Sequence, residues 1–489
     1  MAEPAPRLSD PVSWLYVMHK SSASLYEAVS SYAANADGQF AEELKKAVYA
    51  VENTGTDIYS ALSDTAVHTK NPAFQKFLSE YLTAVKTSGD PAYYLEKKLA
   101  ELRAEEAAAE EKRASSLAVF AEIFISIFVA GILFAVIVFL ILEIMSDGSP
   151  LPLAAVVYGM LPLGTAGFLL VLELLYPAPK LPKKQKLPAL SLRSAKTEEE
   201  MTIREKVEAY DRYFALKSAL RNPAAALIKK PHFVFIISAP VAAAAGCILC
   251  FTDTLPLRFS LCAAILICFT PYAVFSLLER RERCTAEAEF PSVCRIIASA
   301  ADRGLPLSKC ISAAAEENSG VLKKELSAAA RDISFGGGVA ESLFRFAERL
   351  PLPSVKRTVL LTSEAGRFSG DSALPFQMCA DDAAHSNSLR EGQKSGMQLY
   401  VLIMYISYFV FIFVQFILSG VFIEAISAAK SSVNTEIFLG ILTDAVLIHG
   451  VCCGLAAGKL SGAGLSAGIL HACILLLTGA AASVAAMLL

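Results

Sequence analysis

Seven apolar runs constrain this 489-residue chain more tightly than any other feature: 117–145, 151–176, 232–251, 257–278, 398–426, 437–457 and 463–488. Each matches or exceeds the roughly 20 helical residues needed to cross the hydrocarbon core of a bilayer. Inside lipid every backbone N–H and C=O must find a partner within the chain, which leaves the α-helix as the form for such runs. The composition agrees: 54% of residues are hydrophobic and only 19% charged, far from the balance of a soluble domain. The expectation is an all-α, multi-pass protein of the plasma membrane. The first hundred residues hold no short apolar core, so no cleavable signal peptide is expected.

The chain also repeats itself at a spacing of about 281 residues. Each copy is a polar helical stretch, a Ser-Gly-Asp turn, and a charged helix running directly into an apolar one. The turns are Ser88-Gly89-Asp90 and Ser369-Gly370-Asp371, and the apolar runs after them open at Leu117 and near Gln398. Upstream, Leu25 pairs with Leu307 and Leu62 with Leu343, so the register holds to within a residue or two. Duplicated polar bundles fused to membrane helices suit a scaffold or transducer better than an isolated enzyme pocket.

Within the copies, apolar residues recur at helical spacing, as at Leu15, Met18, Leu25, Ala28 and Val29. Breaks fall at Asn35-Ala36-Asp37-Gly38 and Asn53-Thr54-Gly55 in the first copy, and at Arg303-Gly304-Leu305-Pro306, Asn318-Ser319-Gly320 and Phe335-Gly336-Gly337-Gly338 in the second. Pro306 is expected at the first position of a helix, where a missing N–H costs nothing. From Pro91 to the membrane no breaker interrupts a stretch of strong helix formers, which predicts one continuous helix across the boundary. The resulting division is 1–116 and 279–397 as polar helical repeats, 117–176, 232–278 and 398–489 as membrane helices, and 177–231 as a basic loop with a helical segment near 197–221.

Charge sets the orientation. The net charge of −3 points to no nucleic-acid partner. Thirteen Lys or Arg against six Asp or Glu lie between Tyr176 and His232, whereas the short loops 146–150 and 252–256 hold no Lys or Arg. The positive-inside rule then places the N-terminus and the long segments in the cytoplasm and the C-terminus outside. Lys459 agrees, and Lys430 dissents. Helices one and five both run outward on this count, so the copies are parallel. All eleven cysteines lie at or beyond Cys247 and none falls in a predicted outside loop, which favours buried thiols over disulfides.

From Glu289-Phe290-Pro291, through Gly304-Leu305-Pro306-Leu307, to Gly366 and Ser369-Gly370-Asp371, the second copy resembles the type II secretion F-domain family. These are the polytopic platform proteins of type IV filament machines. The first copy carries the pattern only weakly. Seven helices and a basic central loop look more like the archaeal branch, which includes archaellum and adhesion-pilus platforms. The resemblance implies a non-enzymatic platform without cofactor or metal. It also implies a hexameric secretion ATPase and pilin-like or archaellin subunits as partners, and a homodimer is expected.

Several constellations compete with that reading. Gly464-Leu465-Ser466-Ala467-Gly468 fits a hydrolase nucleophile elbow, but it is expected inside an apolar helix, where small residues serve close packing. Cys247 and Cys250 form a C-x-x-C without a second ligand pair. No G-x-x-x-x-G-K-[ST] loop occurs, so an ATPase would be a separate protein. Asp444, His449 and His471 sit in apolar runs, where a charge costs ~2.5–3.5 kcal/mol. An Asp444–His471 pair across two helices would either fix packing or carry protons, and the second option defines the alternative, a membrane transporter. An intramembrane aspartyl peptidase needs two such aspartates, and only Asp444 is present. Lys183, Lys184, Lys186, Arg280, Arg281 and Arg283 would anchor helices to anionic lipid, dock an acidic partner such as the ATPase, or do both.

Overall fold

The computed structural model describes residues 7–87, 90–146, 150–176, 227–228, 231–251, 256–350, 352–368, 373–429, 435–461 and 464–488. Among them every regular element is helical. In chain order these are α1 (Ser9–Lys20), α2 (Leu25–Asn35), α3 (Gln39–Thr54), α4 (Ile58–His68), α5 (Pro72–Thr87), α6 (Pro91–Phe124), α7 (Ile132–Ser146), α8 (Leu151–Ala154) and α9 (Leu161–Leu175). There follow α10 (Val234–Phe251), α11 (Leu257–Asp302), α12 (Leu307–Glu317), α13 (Lys323–Ser334), α14 (Val339–Arg349), α15 (Pro353–Ala365), α16 (Ala373–Ala429), α17 (Thr435–Leu460) and α18 (Leu465–Leu488). The described residues form two units. A polar one comes from Met1–Glu110 and Glu282–Arg390, and an apolar one from Glu111–Pro179, Glu205–Arg281 and Glu391–Leu489. The basic loop with its expected helical segment lies outside the described residues.

In the polar unit the duplication is visible helix by helix. Copy one is α1–α5 with the start of α6; copy two is the end of α11, α12–α15 and the start of α16. Buried residues correspond in pairs: Val12 with Cys294, Leu15 with Ile297, Val29 with Ile311 and Leu44 with Leu326, each 282 apart. After α3 and α13 the offset drops to 281, as for Leu62 with Leu343, Phe74 with Val355 and Leu95 with Phe376. Both bundles are present, and their apolar residues merge into a single core.

Local chemistry explains where these helices begin. Ser24 and Glu27 form a reciprocal capping box on α2, Asp57 caps α4 through the Tyr59 N–H, and Asp90 caps α6 through the N–H groups of Ala92 and Tyr93. Pro72 and Pro353 open the equivalent helices α5 and α15. Pro306 falls one position before its expected place: its backbone is extended (φ −64°, ψ 147°) and Leu307 is the first helical residue. Glu289 accounts for the acidic member of the Glu-Phe-Pro triplet. Its carboxylate accepts the N–H groups of Val321 (3.1 Å) and Leu322 (3.2 Å), capping α13 from a distant helix. A Cβ on Gly320 would overlap that carboxylate. The matching position in copy one is Arg7, so this cap belongs to copy two alone.

Among the described residues seven helices are long and apolar enough to span a bilayer. Two carry π-helical turns, at Ile125–Gly131 between α6 and α7 and at Ala155–Met160 between α8 and α9. α17 is the central helix: two-thirds of its apolar window is buried (67%), against 17–28% for the others. It packs on α18 at backbone contact, since a Cβ on Gly454 or Gly458 would overlap Ala472 or Gly468. Gly464, with φ +79°, lies in the turn between these helices. The Gly464–Gly468 motif therefore straddles a turn rather than sitting inside a helix as expected, and no strand precedes its serine. α9 and α17 run parallel, because Tyr158 meets Asp444 and, fifteen residues further along both helices, Glu173 meets Lys459.

Candidate functional site

A polar constellation joins the two copies inside the polar unit. Arg357 on α15 donates to the Asp10 carboxylate (2.6 Å), to the Asp10 carbonyl (3.2 Å) and to Ser13 Oγ, all on α1. The same guanidinium lies 3.5 Å from Asp382 on α16, whose other carboxylate oxygen accepts from Arg103 on α6. Charges alternate along Asp10, Arg357, Asp382 and Arg103, and the chain of contacts passes between copies at both ends. Burial opposes the charge on Arg357, but Asp10 and Asp382 outweigh it and hold the guanidinium above its ordinary pKa. Cys379 is buried beside it, and burial pushes its thiol up to about 12. The constellation ties α1 and α6 of copy one to α15 and α16 of copy two. Two weaker contacts flank it: Ser31 Oγ to Glu364 (3.4 Å), and Ser9 Oγ to Glu106 (2.5 Å) with His385 near the same carboxylate (3.9 Å). Sequence reasoning missed this site. The one available signal was a charge on an apolar face, Arg357 between buried Val355 and Thr358.

In the apolar unit the three intramembrane candidates are not gathered together. Asp444 accepts from the Tyr158 hydroxyl (2.5 Å) and has Arg258 at 3.9 Å, so it does not pair with His471. His471 bonds Tyr405 through Nδ1 (2.7 Å). His449 is fully buried against Phe411, with Cys453 Sγ at 3.3 Å from Nε2. Gly440 leaves room for the Arg258 guanidinium, which a Cβ there would crowd at 2.9 Å. At the other end of α17, Lys459 pairs with Glu173 and donates to the Tyr176 carbonyl (3.2 Å). These contacts tie helices to one another.

Of the basic candidates, Lys183, Lys184 and Lys186 lie outside the described residues. Arg280 and Arg281 are exposed on α11, and Arg283 is half-buried. Of the repeat turns, Asp90 is described as the α6 cap, while Ser88, Gly89, Ser369, Gly370 and Asp371 are not. Cys247 and Cys250 are exposed on α10. Among the described residues no group of three His, Cys, Asp or Glu is placed to hold a metal.

A family model described as type II secretion system (T2SS), protein F, matches residues 14–139 and 293–420. Both copies are covered, each from its first helix into its first apolar helix, so the match extends to the first copy, whose likeness to the family pattern was expected to be weak. No curated protein and no solved structure matches the chain. With two successive matches covering more than half of its 489 residues, the chain belongs to the protein F family of type II secretion systems.

Proposed function

We propose that this chain is the platform of an archaeal type IV filament or a related assembly machine, coupling a cytoplasmic secretion ATPase to the extraction and assembly of pilin-like subunits. Membership makes it a multi-pass membrane platform of a type II secretion or type IV pilus-like system. The observation supporting the coupling is helix continuity. Each copy passes out of the shared polar core into the apolar unit in helical conformation, along the 49-residue stretch Pro91–Phe139, which includes the π-helical turn Ile125–Gly131, and along the 57-residue α16. A displacement imposed on the polar core would enter the apolar unit along these two helices.

The test uses the full-length chain in nanodiscs with a secretion ATPase from the same host. Saturable binding with stimulated ATP hydrolysis is expected, and filament loss on deletion of the gene. Absence of both binding and stimulation would overturn the coupling. Point substitutions are preferable to excising residues 282–397, because excision removes half of the core the copies share. A transporter acting through Asp444 receives no support from the contacts of that residue, which Tyr158 and Arg258 already occupy.

A further inference from the structure

Along the outer side of α13 one line of residues fits no role in the fold. Val321, Lys324, Ala328, Arg331 and Phe335 fall at helical intervals of three and four on a single face. The opposite face carries Leu322, Leu326 and Ala329 into the core. Phe335 is 88% exposed and Val321 46%, while Lys324 and Arg331 project beside them. The acids bordering the line, Glu325 and Asp332, both turn to Arg349, at 3.8 Å and 2.9 Å, rather than to Lys324 or Arg331. The line is also held firmly. Glu289 fixes its start through Val321, and Phe335 leads into a turn in which a Cβ on Gly337 would meet the Asp332 carbonyl at 2.7 Å.

The duplication supplies an internal control. At the equivalent positions copy one has Gln39, Glu42, Lys46, Tyr49 and Thr54, with Glu42 paired to Lys45. The buried faces of α3 and α13 correspond, so folding imposes the same demands on both, yet copy one carries one basic residue, Lys46, and the exposed Tyr49 on this line, whereas copy two has Lys324 and Arg331 flanked by exposed Val321 and Phe335. We propose that this face of α13 is a docking site for an acidic amphipathic helix of a partner protein. Apolar residues of such a helix would cover Val321, Ala328 and Phe335, and its carboxylates would meet Lys324 and Arg331. An anionic lipid surface fits less well, since recognition of that kind draws on clusters of about 4–8 basic residues. The proposal stands apart from ATPase coupling: the ATPase can bind elsewhere on the chain.

A photo-crosslinking amino acid placed at 335 in the full-length chain, expressed in its host, tests this, with the same group at 54 as the control. The expected result is an adduct at 335, absent at 54, whose mapped partner peptide is helical and acidic. The double substitution Lys324→Glu/Arg331→Glu should reduce the adduct about tenfold or more, and reversing the partner's carboxylates should restore it. Trp14 fluorescence melting of that variant should be unchanged, because both side chains are solvent-exposed. Adducts only to lipid, adducts only to another copy of this chain, equal labelling from 54, or no adduct would each overturn the proposal. Loss of this adduct with ATPase binding intact would leave the proposed coupling standing.

Discussion

Arg357 has the most consequential side chain in the polar unit, because one guanidinium answers two carboxylates from different copies. Arg357→Ala leaves Asp10 without its cation and Asp382 with Arg103 alone. A loss of about 1–2 kcal/mol is expected, less than the scale for a fully buried pair, because Arg357, Asp10 and Asp382 keep 27%, 47% and 21% exposure. Asp10→Asn should cost less, since the Asp10 side chain is 47% exposed. The single tryptophan, Trp14, is buried on α1 next to this network, so its fluorescence during denaturation reads both variants. His19, near the end of the same helix and bonded to the Tyr81 hydroxyl, sets a pH dependence. Burial lowers its pKa below the ordinary 6.5, so the unfolded chain binds the proton more readily than the folded one. Stability of the polar unit should therefore be complete above about pH 6.5 and fall on acidification below it. His19→Gln should flatten that fall, and an unchanged pH profile of Trp14 melting in the variant would remove His19 from the explanation.

At the scale of elements, the two copies solve the same turns with different residues. Gly55 and Gly336 both end their helices with left-handed backbones, φ +68° and +93°, at a spacing of 281. The turn after the first helix of each copy is left-handed too, but copy two uses Gly304 (φ +79°) where copy one uses Ser22 (φ +65°). A side chain there costs about 1–2 kcal/mol, partly offset by the lower chain entropy of a non-glycine residue. Ser22→Gly should accordingly raise the melting temperature slightly, and Gly304→Ser should lower it. Opposite signs in one assay are the expected outcome; equal signs would show that the turns are not equivalent.

At the scale of the molecule, the merged core makes the copies interdependent. A fragment ending at residue 116 would expose faces that copy two covers, so its isolated form should be aggregation-prone or rapidly proteolysed. Thiol labelling provides a gentler probe of the intact chain. Cys284 is exposed on the polar stretch of α11 and should react with a maleimide at pH 8, whereas Cys294 and Cys379 are buried, with pKa values raised by burial, and should react only after denaturation. Early labelling of Cys379 would mean that the copies separate readily in solution.

Much of the architecture was open to reading in one dimension. Apolar runs of bilayer length and the 281-residue spacing are periodic signals, and each dictates structure through backbone hydrogen bonding or helical period alone. The family pattern was legible for the same reason, clearest at Glu289-Phe290-Pro291. What tertiary structure decided is which distant groups meet. Asp10 and Arg357 are separated by 347 residues and Tyr158 and Asp444 by 286, and no spacing rule links such pairs. Only packing shows that Asp444 faces Tyr158 rather than His471, and that two repeats written apart along the chain close over one core. Burial of apolar faces is additive and readable from pattern. The choice of partner for a buried charge depends on three-dimensional register, which the sequence encodes only through the whole fold.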